Sequence, residues 1–149
     1  MSAISRRAPA VGRIGLGLIF FVFGLNGFLH FLPNPPPPGG PALAFMGGLA
    51  ATGYFFPLLK GVEVASGLLL LTNRFVPLAL TLLAPIIVNI VAFHALLAPS
   101  GIVLALAILA AELYLAWSYR AAFRPMLRSR VSPSVNEQVE QTTAPVPAE

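Results

Sequence analysis

The chain has no cysteine. Thiol–disulfide exchange, iron–sulfur ligation, covalent c-type haem attachment and thiolate zinc sites are therefore closed to it. It is also poor in charge. Only 9% of its 149 residues are Asp, Glu, Lys or Arg, against about 25% in an ordinary soluble domain. Nine Lys and Arg with five Asp and Glu cannot cover a water-soluble fold of this size with polar surface. Hydrophobic residues make up 57% of the chain and the mean hydropathy is +0.84. They fall in long runs and not in the stripes of a soluble amphipathic helix. The solvent for most of this chain is lipid.

The length allows one domain. The net charge of +4 could suggest nucleic acid, but the basic residues stand at the ends of apolar runs. There they read as determinants of membrane topology, and no nucleic-acid partner is expected.

Residues 1–13 form a basic leader with Arg6, Arg7 and Arg13. Ile14 to Leu32 is then apolar except for Asn26 and His30. It is longer than a signal-peptide core and no A-x-A site closes it, so it predicts a retained spanning helix. Pro33 to Pro41 holds six prolines and two glycines and cannot be helical. Ala42 to Gly53 is too short to cross a core of about 30 Å and predicts a short interfacial helix, with Gly53 as its left-handed stop. Further spans are expected at about 54–71, 76–97 with a kink at Pro85, and 102–119. Tyr114, Trp117 and Tyr119 suit an interfacial belt. Residues 120–149 are a basic segment followed by a Ser-, Pro-, Gln- and Thr-rich tail that predicts disorder. The expected fold is all-α, an integral membrane four-helix bundle with a short interfacial helix between its first two spans.

Arg6, Arg7 and Arg13 precede the first span, Arg74 lies between the second and third, and four arginines follow the last. The segments 33–53 and 98–101 carry no charge. Four spans place every arginine on one side, and the positive-inside rule makes that side, with both termini, cytoplasmic.

Polar groups within a bilayer are costly and usually face the bundle interior, so they are candidates for function. A rise of 1.5 Å per residue places Asn26 roughly 9 Å and His30 roughly 3 Å below the outer end, on one helical face. The same arithmetic puts Lys60, Glu63, Asn89 and His94 roughly 5–13 Å deep and Glu112 roughly 15 Å deep, near the midplane. A carboxylate there has to be paired or protonated. Lys60 and Glu63 could be only an intrahelical ion pair, and the asparagines could only bridge helices. Six such groups in the outer half with Glu112 beneath them, and almost none on the inner side, exceed what structure alone needs.

Three chemistries could use such a cluster. A quinone head group takes hydrogen bonds on its two carbonyl oxygens, which His, Lys and Glu can supply along with a proton route. A b-type haem needs two axial histidines on different helices, and His30 with His94 meets only that minimal condition. A solute path with a proton relay fits poorly, because no internal repeat is visible. No metal site is read from the residues.

At these positions GLNGFLHFLP (24–33) and ATGYFFPLLKGVEVASGLLLLTNRFVPLALTLLAPIIVNIVAFH (51–94) resemble the DoxX family of small four-helix bacterial membrane proteins. The similarity covers about residues 12–120, with NRFVPLAL and APIIVNI carrying most of it. The resemblance implies the bacterial cytoplasmic membrane and a link to oxidoreductase systems. Asn26, His30, Lys60, Glu63, Asn89 and His94 match positions characteristic of this branch, though no catalytic role follows from the match. The expected function is an accessory of a membrane redox system, with an outer-leaflet pocket for quinone or another small molecule and a redox-enzyme partner. Any thiol chemistry would belong to that partner. The alternative is a non-catalytic membrane scaffold or assembly factor whose polar cluster is structural.

Overall fold

In the computed structural model, which describes residues 3–33, 36 and 38–130, every regular element among those residues is helical. The helices are α1 (Ala3–Leu29), α2 (Gly40–Ala51), α3 (Phe55–Leu71), α4 (Val76–Leu96), α5 (Ile102–Ser118) and the single turn α6 (Arg120–Phe123). Short 3-10 turns follow α4 (Pro99–Gly101) and α6 (Arg124–Leu127). The tail expected to be disordered and part of the Pro-rich segment lie outside the described residues.

Arg7–Leu29, Val76–Leu96 and Pro99–Ser118 are each long and apolar enough to cross a membrane. α3 alone has 17 residues, a rise of about 25 Å, short of a hydrocarbon core of about 30 Å. It meets the same criterion only together with α2, and the two are bent by 90° at the break between them. Among the described residues the count is therefore three, or four with the bent pair.

α1 begins at Ala3 and not at Ile14. Its 27 residues rise about 40 Å, more than the core thickness, so the turns carrying Arg6 and Arg7 continue the helix beyond the apolar stretch. It also ends earlier than the apolar run. The His30 N–H bonds to the Asn26 carbonyl at 2.9 Å, and the Leu32 N–H donates to Asn26 Oδ1 at 2.7 Å. His30 itself is left-handed at φ 51°. Asn26 thus closes the helix, and His30 stands outside it and is exposed.

α2 starts at Gly40, two residues before the expected Ala42, and ends at Ala51 with Thr52 as its C-cap. Gly53 follows at φ 72°, a conformation that glycine adopts without steric cost. The right-angle turn into α3 occurs here.

α1, α3, α4 and α5 pack in a ring, each against its chain or spatial neighbour in antiparallel fashion. The closest pair is α1 with α3. A Cβ on Gly67 would lie 2.6 Å from the Phe21 backbone nitrogen, and one on Gly24 would lie 2.8 Å from Val64 Cγ2. Small residues let helices approach where lipid removes the hydrophobic drive to associate. Leu16, Phe20, Leu70, Leu80, Leu83 and Leu115 fill the core.

Arg13 is buried in this packing. Its Nη1 donates to the carbonyl of Leu70 and, at 3.3 Å, to that of Leu71. Both carbonyls belong to the last turn of α3; that of Leu70 also accepts from the Asn73 N–H at 3.2 Å, and a cation there opposes the negative end of the helix dipole. The turn beyond uses left-handed Asn73 (φ 57°) and Phe75 (φ 49°) to reverse the chain into α4. Arg7, Arg74, Arg120 and Arg124 are exposed at this same end, and α2 lies at the other.

Candidate functional site

A cavity of about 460 Å³ opens between α2, α3 and α4. Its walls are mostly apolar: Phe45, Met46 and Leu49 from α2, Phe55, Phe56 and Leu59 from α3, and Ile86, Ile90 and Phe93 from α4. Lys60, Glu63, Asn89 and His94 supply its polar groups. The right-angle bend at Gly53 creates this space, because it swings α2 across the ends of α3 and α4. Phe45 of α2 reaches Phe93 of α4, with ring centroids 5.8 Å apart.

Lys60 Nζ and Glu63 Oε2 are 2.7 Å apart, one turn apart on α3. The pair is held by α1 from behind. A Cβ on Gly27 would collide with the aliphatic stem of Lys60, and one on Gly24 would lie 3.1 Å from Glu63 Cβ. The glycines of α1 therefore make the room in which a charged pair fits between helices. One donor of the ammonium is spent on Glu63 and two remain.

His94 is fixed by two contacts. Its Nδ1 is 2.9 Å from the Ala98 carbonyl, and a carbonyl can only accept, so Nδ1 carries the proton in the neutral ring. Its ring also lies over Gly101, where any Cβ would fall inside the imidazole. The remaining nitrogen, Nε2, is then an acceptor, suited to a ligand hydroxyl or a shared proton.

Asn89 is exposed at the mouth, and its amide makes no side-chain hydrogen bond among the described residues. From there a second apolar groove of about 440 Å³ runs along α4 past Val88, Ala92, Leu96 and Leu97, sharing Phe45, Pro85, Asn89 and Phe93 with the cavity. The two together form a largely apolar pocket holding four polar groups, continued by an apolar groove.

Four of the seven sequence candidates meet in this cavity: Lys60, Glu63, Asn89 and His94. Asn26 caps α1, and His30 is exposed at the end of that helix. The cavity wall is α2 where α1 was expected, because Gly24 and Gly27 bring α1 too close to α3 to leave space. Only one of the two histidines a haem would need for axial ligation lines the cavity.

Glu112 is separate again. It is 5% exposed, on the α5 face shared with the core residues Ile108 and Leu115. Glu112 Oε2 and Ser66 Oγ are buried with no hydrogen-bond partner among the described residues. Both lie roughly 15 Å from the α2 end by helical rise. The phenylalanine walls and the buried Arg13 were missed from sequence. The only hint of the walls was the crowding of Phe45, Phe55, Phe56 and Phe93 near the polar positions.

No family model, curated protein or solved structure matches the chain.

Proposed function

We propose that the chain is a multi-pass membrane protein that binds an amphipathic small molecule, of the quinone type, in the cavity between α2, α3 and α4. The observation that carries this is the convergence of Lys60, Glu63, Asn89 and His94 in an otherwise apolar cavity that continues into an apolar groove. A ring-and-tail ligand fits that division: its carbonyl oxygens accept from the Lys60 ammonium and the Asn89 amide, its reduced form donates a hydroxyl to His94 Nε2, and its tail follows α4 into lipid. Pockets of this kind are largely apolar with a few convergent polar groups.

In this reading α1, α3, α4 and α5 form a four-helix bundle in the bilayer, with α2 lying at its outer surface. The arginines at the opposite end support, by the positive-inside rule, a cytoplasmic side for that end and both termini. The resemblance to the DoxX family supports a bacterial cytoplasmic membrane and an accessory role beside a redox enzyme. Glu112, central and with no hydrogen-bond partner for its Oε2 among the described residues, is the candidate proton carrier.

Binding of a short-tailed ubiquinol, whose hydroxyl can donate to His94 Nε2, to the purified chain tests the proposal. His94→Ala should weaken it about tenfold, the value of one to two hydrogen bonds. Ile90→Trp, which fills the cavity, should abolish it. No binding by the wild type, or unchanged binding in both variants, would sink the idea.

The scaffold alternative draws on Lys60–Glu63, which is already satisfied within α3. It predicts that Glu63→Gln lowers stability and leaves the affinity for every ligand unchanged.

A further inference from the structure

The end of the protein opposite α2 carries a surface that the cavity does not use. Tyr119 and Phe123, four residues apart, pack against the core and hold α6 to the bundle. Arg120 and Arg124, each one position further on, share the next face and are exposed. Trp117 is 70% exposed, Met126 66% and Leu127 81%. The Arg120 guanidinium lies 5.0 Å from the Trp117 ring centroid and donates to the Trp117 carbonyl at 3.0 Å. Cations and large apolar side chains therefore stand side by side over residues 117–128.

Nothing among the described residues neutralises these cations. The acids there are Glu63 and Glu112, both buried inside the bundle. The one salt bridge among described residues is Lys60–Glu63, at the far end. Arg7, Arg74 and Arg128 add to the exposed charge on this side.

Basic residues at helix ends can simply set topology, but that role leaves Trp117, Met126 and Leu127 unexplained. They need an apolar phase at the level where the guanidiniums need anions. A nucleic acid or an acidic peptide supplies the second without the first. The boundary between headgroups and acyl chains of an anionic leaflet supplies both. Guanidinium also matches phosphate oxygens in a two-pronged geometry that an ammonium lacks.

We infer that residues 117–128 form a binding surface for anionic phospholipid. Arg120 and Arg124 hold headgroup phosphates, and Trp117, Met126 and Leu127 sit among the first acyl carbons. The inference rests on the membrane-spanning reading and is independent of the ligand in the cavity.

Trp117 is the only tryptophan in the chain, so its fluorescence reports this surface alone. The full chain is reconstituted in vesicles of phosphatidylcholine with a minor fraction of phosphatidylglycerol, with brominated acyl chains on one lipid or the other. Brominated phosphatidylglycerol should quench Trp117 as though enriched about fivefold over its bulk fraction, and added salt should erode the excess. Arg120→Gln with Arg124→Gln should return quenching to the bulk composition. Arg120→Lys with Arg124→Lys should keep most of the excess, which decides the matter if the first variant loses helix content. Equal quenching by both lipids in the wild type, or selectivity unchanged in the glutamine variant, overturns the inference and leaves the membrane reading intact. No quenching by either lipid overturns both.

Discussion

The Lys60 ammonium lies 2.7 Å from the Glu63 carboxylate, and the two side chains pass over Gly27 and Gly24 of α1. A charged pair is thereby set between two helices that touch almost backbone to backbone. Glu63 is 5% exposed and Lys60 25%, so each charge depends on the other and on the cavity that Lys60 faces.

Breaking the pair from one side should cost more than removing it. Lys60→Met leaves a buried carboxylate alone and should destabilise by about 3–5 kcal/mol. Adding Glu63→Leu should recover most of that loss. Chemical denaturation in detergent gives both values. Equal or additive losses would show that the two groups are not coupled.

The α1–α3 contact should tolerate change unevenly. Gly67→Val pushes a side chain onto the Phe21 backbone, which cannot move aside, and should cost about 1–3 kcal/mol or more. Gly27→Ala meets only the flexible stem of Lys60 and should cost less. Thermal unfolding in the same detergent ranks the two.

Arg13→Met should loosen the end of α3 while leaving its middle intact. It strips two hydrogen bonds from the Leu70 and Leu71 carbonyls, each worth about 1.5–3 kcal/mol when the donor is charged. Hydrogen exchange should quicken at the amides of residues 72–76, just past the helix end, more than at residues 60–64. Uniform quickening would point to a global effect instead.

Gly101→Ala should reproduce the binding defect of His94→Ala without touching the imidazole. The added methyl displaces the ring from its seat and breaks the Nδ1 contact with Ala98 that leaves Nε2 an acceptor. Ligand affinity should fall about tenfold, with the fold preserved by circular dichroism. Wild-type affinity in Gly101→Ala would remove His94 from the site.

Glu112→Met should raise stability or leave it unchanged. Its Oε2 has no partner among the described residues, and replacing such a buried polar group with a similarly sized apolar one removes a desolvation cost. A loss of more than about 2 kcal/mol would mean that Glu112 has a structural partner.

Much of this protein follows from local chemistry. Scarce charge and long apolar runs determine a set of hydrophobic helices, because lipid is the only solvent in which such runs are satisfied. Gly53 and the Asn73–Arg74 turn were readable as breaks, since glycine and asparagine tolerate the left-handed backbone found at positions 53 and 73. The polar positions in helices were readable too, because any polar group in an apolar run stands out. Which of them meet was decided by tertiary structure. His30 left the set because a local hydrogen bond from Leu32 to Asn26 ended α1 one residue before it. Glu112 left it because its face of α5 turns to the core. Lys60, Glu63, Asn89 and His94 came together because the chain turns through 90° between α2 and α3 while the glycines at the α1–α3 contact press those two helices together. The absence of cysteine and the dearth of charge set the class of protein, since they limit chemistry wherever the residues lie. The position of the cavity depends on helix spacing and crossing, which arise only when distant backbones pack.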